Sequence, residues 1–438
     1  MGAPSSPSPA PAATGPSSGG RPLLMTLPWA LCVVAAILMH HVVGPVVGDY
    51  WVTVLQKIGV FIIAAVGLNI VNGFTGQFSM GHAGFMAVGG YIAGATTYYG
   101  SLLWIGTVEA QPGLFNAGIA LMIAGVFLGA LVAAGFGYLV GLPSLRLRGD
   151  YLAIVTLGFG EIIRVLLQQT GEQVAPTDAA KFAAAPLKIL SQFPLNGALG
   201  FTRVPQYASV FWVYLFTAVT LLVAYRVKYS SSGRAFLSIR EDEIAARAMG
   251  IHLTKYKVRA FVLAAFFGGV AGGLWAHAGQ NFSPTEAGFQ RSFEVIILVV
   301  LGGLGSISGA AMAAIALTAL TEVLRGPGDV LAQWWQLLAL AGAVGVVAIV
   351  LRALRNTGWR VIAIGAAIPA GLVAFAKLSD LTRNHLGISL GDYRMVLYAL
   401  ALILVMLLRP NGLLGVRELW DLFSRDSKRS ARTNGGAA

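Results

Sequence analysis

Cysteine is almost missing from this sequence and charge is scarce. One cysteine in 438 residues, Cys32, excludes an intrachain disulfide; it lies in an apolar run and reads as a small core residue. The six histidines (His40, His41, His82, His252, His277 and His385) stand at no metal-ligand spacing, so no metal site is expected. No GxxxxGK[ST] phosphate loop occurs, which excludes a nucleotide-hydrolysing site within the chain. The glycine run Gly303-Leu-Gly-Ser-Ile-Ser-Gly309 lacks the dinucleotide-binding spacing and reads as helix packing. No nucleophile constellation stands out, so the chain does not read as an enzyme. Charged residues make up 11% of the chain, against roughly 25% in a soluble domain, too few to cover a water-facing surface.

Apolar residues take the place of charge: 56% of the chain is hydrophobic and the mean hydropathy is +0.74. Long apolar runs recur between Leu27 and Leu408, which predicts an all-α, polytopic integral membrane protein. Net charge is +12, from 30 Lys and Arg against 18 Asp and Glu. The cations sit between apolar segments in the positive-inside arrangement, so the basic balance points to lipid and not to nucleic acid.

Residues 1–22, rich in Pro, Ala, Ser and Gly, predict a disordered tail. Apolar spans follow at residues 27–47, 51–71, 80–99, 117–142, 151–168, 208–225 and 260–278. Residues 293–324 are too long for one straight crossing, and the interruption Gly302 to Gly309 predicts two short, broken helices. Further runs at 334–351, 361–376 and 393–408 complete the count. Gly125 with Gly129, and Gly268 with Gly272, carry the small-residue spacing of closely packed membrane helices. The basic loop 226–259 is expected in the cytoplasm, and counting 293–324 as two crossings puts the other cationic clusters and both termini on that side.

The segment Asn69-Ile-Val-Asn-Gly-Phe-Thr-Gly-Gln-Phe-Ser-Met-Gly-His-Ala-Gly84 is too glycine-rich and polar for a lipid-facing helix. Such backbone survives at membrane depth where protein buries it or a wet cavity borders it, and a broken helix points to a transport site. Asn69, Asn72, Gln77 and Ser79 have the polarity to line a path for a zwitterion, with Phe74, Phe78 and Phe85 offering apolar contact. His82 stands beside them, as a path or packing residue. Glu161 and Arg164, three residues apart in an apolar span, form a pair that is either functional or a structural ion pair. Glu286 and Glu294 flank an expected outside segment, 280–291.

The stretch 238–250 predicts a helix of roughly three turns. Ser238 with Glu241 has the form of a capping box, and Glu241, Asp242 and Glu243 set negative charge on the positive end of the helix dipole. Gly250 is the expected left-handed stop. A short helix between two apolar spans is either a solvated loop or a docking element for a soluble partner.

Several stretches resemble the permease subunit of ABC importers for branched-chain amino acids, the LivM type. They are 67–91, beginning Gly-Leu-Asn-Ile-Val-Asn-Gly; 145–164, beginning Leu-Arg-Leu-Arg-Gly-Asp; 232–273; Leu301-Gly-Gly-Leu-Gly-Ser-Ile-Ser-Gly309; and the closing Arg409-Pro-Asn-Gly-Leu-Leu-Gly415. The resemblance implies a core of about ten helices over 23–325 and 388–416, in keeping with the span count. Residues 326–387 then form an inserted two-span hairpin and 417–438 a basic cytoplasmic tail. It further implies a multi-pass protein of the bacterial cytoplasmic (inner) membrane, paired with a homologous permease subunit as a heterodimer. Two cytoplasmic ATPases that use ATP and Mg would drive the pair, and an extracytoplasmic solute-binding protein would feed it; the chain itself would hold no cofactor. The family's coupling motif falls on Glu243, Ala245, Ala246 and Gly250, with Glu241 just ahead, and the small alanines would seat the helix in a groove of the ATPase. Branched-chain or related hydrophobic amino acids are the expected cargo, with urea or short amides as the alternative. An ion-gradient-driven transporter, with Glu161 at the ion site, remains the rival outside the family.

Overall fold

The computed structural model describes residues 32–325, apart from residues 35, 112, 145–149, 179–181, 183, 192 and 280, together with residues 403, 412 and 418. The expected tail 1–22, the hairpin 326–387 and the chain beyond Glu418 lie outside the described residues.

Without water to bond peptide groups, a chain this apolar satisfies its backbone internally, and the described structure is mostly helix. A π-helical turn, Met39–Val43, runs directly into α1, Gly44–Asn69, which ends in a second π turn, Ile70–Phe74. The loop expected between spans 27–47 and 51–71 is therefore absent. From residue 36 to Asn69 the described parts of the two apolar runs continue into one another as helix.

The succeeding helices are α2 (His82–Trp104), α3 (Ala117–Ser144), α4 (Asp150–Gln168), α5 (Val210–Tyr229), α6 (Ser231–Glu241), α7 (Glu243–Ala248), α8 (Leu253–Ala278), α9 (Phe289–Gly302) and α10 (Ile307–Arg325). Among the described residues the one sheet pairs β1 (Phe201–Thr202) with β2 (Asn281–Phe282), antiparallel. Five described helices are long and apolar enough to cross a membrane; they lie in α1, α3, α4, α5 and α8.

The core is α8 wedged among α1, α2 and α3, and the small residues explain how closely these rods approach. A Cβ on Gly125 of α3 would come within 2.9 Å of the Ala93 carbonyl oxygen of α2, and one on Gly129 within 2.5 Å of that of Gly89. On α8, a Cβ at Gly269 would reach Ala130 Cα of α3 at 2.7 Å, and one at Gly272 would collide with the Met86 carbonyl. Helices packed at such range gain dispersion contact along their backbones, which in lipid replaces the missing hydrophobic drive.

The docking segment differs from its expected form. Instead of one helix starting at Ser238, two helices meet at Asp242. Ser238 lies inside α6 and its hydroxyl donates to the Ala235 carbonyl at 2.9 Å, so it caps nothing. Ser230 caps α6 by accepting from Gly233 N, and Asp242 caps α7 by accepting from Ile244 N and Ala245 N at 2.7 and 3.1 Å. Asp242, in extended backbone, took the cap that the Ser-Glu box was expected to supply. Glu241 consequently ends a helix where it was expected to begin one. Gly250 does hold the left-handed conformation expected of it, with φ of +84°. Lys255, Lys257 and Arg259, read as loop, form the first turns of α8.

Residues 293–324 make the two broken helices anticipated, α9 and α10, joined by a tight turn over 303–306. With 14 residues, α9 extends only about 21 Å, short of the roughly 30 Å hydrocarbon core. Its first residue is tied to the middle of α4, where Phe289 N donates to Glu161 Oε1 at 3.2 Å. The segment before it carries β2 and the 3-10 turn Pro284–Ala287.

Candidate functional site

Three groups of residues converge on chemistry. The first is the interruption after α1. Asn69 Nδ2 donates to the Ser306 carbonyl and its Oδ1 accepts from Gly305 N, each at 2.9 Å. Asn72 bonds both backbone groups of Ser79, donating to its carbonyl at 3.3 Å and accepting from its N–H at 3.1 Å. Thr156 on α4 accepts from Met80 N at 2.9 Å, and Ser292 on α9 accepts from Ala83 N at 3.4 Å. In the non-helical stretch 75–81, side chains of the π turn and of α4 therefore hold the peptide groups of Ser79 and Met80, and Ser292 of α9 holds that of Ala83 just beyond it. Asn69, Asn72, Gln77, Ser79, His82 and Phe85 are all buried in the chain. The two asparagines face backbone. The Gln77 Oε1 and His82 Nε2 atoms have no hydrogen-bond partner among the described residues. His82 packs against Gly67 and Gly268, where a Cβ would come within 3.5 and 3.1 Å of its ring.

The second group is a belt of ions on α4, the 3-10 turn Pro284–Ala287 and α9. Arg164 Nε donates to Glu161 Oε2 at 2.6 Å, with the two side chains 33% and 38% exposed. One helical turn into α9, Arg291 bridges Glu286 and Glu294, each at 2.6 Å, with its guanidinium over the Phe61 and Trp275 rings. Three carboxylates against two guanidiniums leave one formal negative charge. Phe289 and Phe293, 4.5 Å apart and exposed, flank the belt. Only 28% of the α4 span is buried within the chain, against 83% of the α1 span. Half-exposed ions in the middle of an apolar span are costly against hydrocarbon and mark a face covered by protein or water.

The third group is the α6–α7 elbow. Ile244 and Met249 are 77% and 82% exposed, an unusual display of apolar surface on so short a helix. Of the two alanines, Ala245 is exposed, whereas Ala246 is turned inward against Ile239 and Leu253. The small size of Ala246 thus serves closure of the elbow onto α8. Lys257 of α8 ties the elbow down by donating to Glu243 Oε1 at 2.5 Å.

A family model described as "Branched-chain amino acid transport system / permease component" matches residues 50–348. The chain belongs to this permease family. LivM, the high-affinity branched-chain amino acid transport system permease protein of Salmonella typhimurium, is 38% identical over 259 residues, covering 56% of each chain. Its Escherichia coli counterpart is 37% identical over the same share. The matched stretch is thus about half the length of these curated relatives. A nucleoside ABC transporter permease protein, NupC of Lactococcus lactis subsp. cremoris, is 26% identical over 36% of this chain and 50% of its own. No solved structure matches. The permease is accordingly a multi-pass membrane protein.

Two features of the permease escaped the sequence. Arg240 and Lys228 counted only as cytoplasmic charge, yet both hold the turn between α9 and α10. Lys228 Nζ donates to the Gly305 carbonyl at 2.7 Å and to Glu418 Oε1 at 2.5 Å. Glu418, fully buried, also accepts from Ile307 N and Ser308 N, both at 2.9 Å, at the start of α10. A carboxylate capping a helix could have been sought, but its partner lies more than a hundred residues away.

Proposed function

We propose that this permease is one membrane half of an ATP-driven importer for branched-chain or related hydrophobic amino acids. The α6–α7 elbow is the point where a cytoplasmic ATPase docks; Glu241, Glu243, Ala245 and Gly250 shape it, and Ile244 and Met249 are the side chains that enter the partner. ATP and Mg are used there, in the partner. The half-exposed face of α4 and α9 turns toward a second, homologous permease subunit and the path between them. On that path Glu161 meets the ammonium of the solute, Arg164 its carboxylate, and Phe289 and Phe293 its aliphatic side chain. Gln77 and His82 approach the path behind this face. An extracytoplasmic binding protein delivers the solute and sets most of its selectivity. The loop carrying the elbow is cytoplasmic in a bacterial inner membrane, by the charge rule.

The observation that supports this reading is the half-exposed ion belt on an apolar helix of a chain in this permease family, together with an exposed apolar elbow in the cationic loop. Uptake of radiolabelled leucine into proteoliposomes holding the complex tests it. Transport should require ATP in the compartment facing the elbow and a Met249→Cys variant should crosslink to a copurifying ATPase. Uptake that persists without ATP on an ion gradient alone would refute the reading and favour a secondary transporter.

A further inference from the structure

Arg240 stands in the last turn of α6, two residues before the Asp242 junction. Its Nη1 donates to the Gly73 carbonyl at 2.9 Å and to the Leu304 carbonyl at 3.4 Å. Gly73 lies in the π turn that ends α1, and Leu304 lies in the turn between α9 and α10. One guanidinium thereby touches both places where the membrane helices are interrupted. The backbone has been cleared for it. Gly76 and Gly305 hold φ of +68° and +89°, and Cβ atoms there would come within 3.1 Å of Arg240 Cγ and 2.7 Å of its Nη1.

The other ties on the 303–306 turn come from elsewhere. Asn69 belongs to α1, Lys228 to α5 and Glu418 to the carboxyl-terminal segment. Among the described residues, Arg240 alone bonds the turn from the helix that leads into the exposed α7. Each bond joins a charged donor to a carbonyl, which makes it stronger than a neutral pair and directional. Arginine also keeps its charge at any accessible pH and has a rigid planar head, so it transmits displacement without changing state.

We propose that Arg240 is a positioning residue that couples displacement of the α6–α7 elbow to both helix interruptions at once. The proposal rests on the reading of the elbow as an ATPase-docking element. A push on α7 would shift the α1 terminus and the α9–α10 turn together, so that the two walls bordering the α4 face move as a unit.

The test uses the reconstituted complex with its copurifying ATPase and binding protein. In Arg240→Ala the ratio of leucine imported to ATP hydrolysed should fall about tenfold, equivalent to ~1.4 kcal/mol of coupling. Assembly and ATPase rate should hold. Arg234→Ala, whose guanidinium stays on α6 by donating to Ser231 Oγ, should leave the ratio unchanged. A second readout is independent of turnover: Leu304→Cys, at a position 39% exposed, in a Cys32→Ser background. Its modification rate should differ between nucleotide-free and vanadate-trapped complexes, and Arg240→Ala should abolish that difference. An unchanged ratio with the difference intact, or import and hydrolysis falling in parallel, would overturn the role of Arg240 alone. Import independent of ATP in the unaltered complex would instead remove the coupling reading on which it depends.

Discussion

Replacing Glu418 gives the sharpest check on how the interrupted helices are held. Its carboxylate is fully buried, accepts from Ile307 N, Ser308 N and the Ser306 and Ser308 hydroxyls, and neutralises Lys228, whose side chain is 10% exposed. Glu418→Ala strands a buried ammonium and exposes the positive end of α10 without a counter-charge. Breaking a buried pair by removing one partner costs about 3–5 kcal/mol. The lost helix-end bonds overlap with that figure and do not add to it in full, since all the donors share one acceptor group. At about 2–4 °C per kcal/mol for a chain segment of this size, the melting midpoint should drop on the order of 10 °C. Thermal unfolding of the detergent-solubilised complex, followed by size-exclusion chromatography, measures this. The double variant Glu418→Gln/Lys228→Met removes both charges while keeping a helix-capping oxygen, and should recover most of the loss. A single variant melting within about 2 °C of the parent, a shift worth less than 1 kcal/mol, would show that the carboxyl-terminal segment does not brace the turn.

Two further outcomes follow from the packing and from the ion belt. Gly272→Leu forces a side chain into the Met86 carbonyl of α2 and should destabilise the α2–α8 pair by at least the 1–3 kcal/mol of ordinary overpacking, seen as lost monodisperse protein; Gly135→Ala, with nothing within 4 Å of its Cβ, is the control expected to behave as the parent. Glu161→Gln and Arg164→Gln should each lower leucine import severalfold while the ATPase still copurifies, and import at parental rates would remove these ions from the path.

Much of the architecture was open to reading from residue types. Apolar runs marked α3, α4 and α5 to within a few residues, since a helix is the backbone's solution in lipid wherever a run is long enough. Glycine runs located both interruptions and marked the close-packing faces of α3 and α8, because only a missing side chain permits backbone approach; which helices meet there came from the structure. Boundaries failed where alternatives were local and nearly equal. Ser238 competed with Asp242 for the cap, and the extended conformation at Asp242 decided it. The loop expected between the first two apolar runs failed differently, because a short polar gap at 48–50 does not by itself force a turn.

What composition and pattern determined alone is that this chain lives in a membrane, breaks its helices within residues 69–84 and 302–309, and carries a cationic loop between apolar spans. Only the tertiary structure decided which polar groups hold the breaks and which remain exposed. It turned Asn69 and Asn72 onto backbone, left Glu161 and Arg164 on an open face, and brought Arg240, Lys228 and Glu418 to one turn. Those assignments depend on contacts between residues as much as 237 positions apart, as for Asn69 and Ser306. Sequence spacing constrains neighbours on one helix, whereas the meeting of two distant helices is set by how all the rods pack.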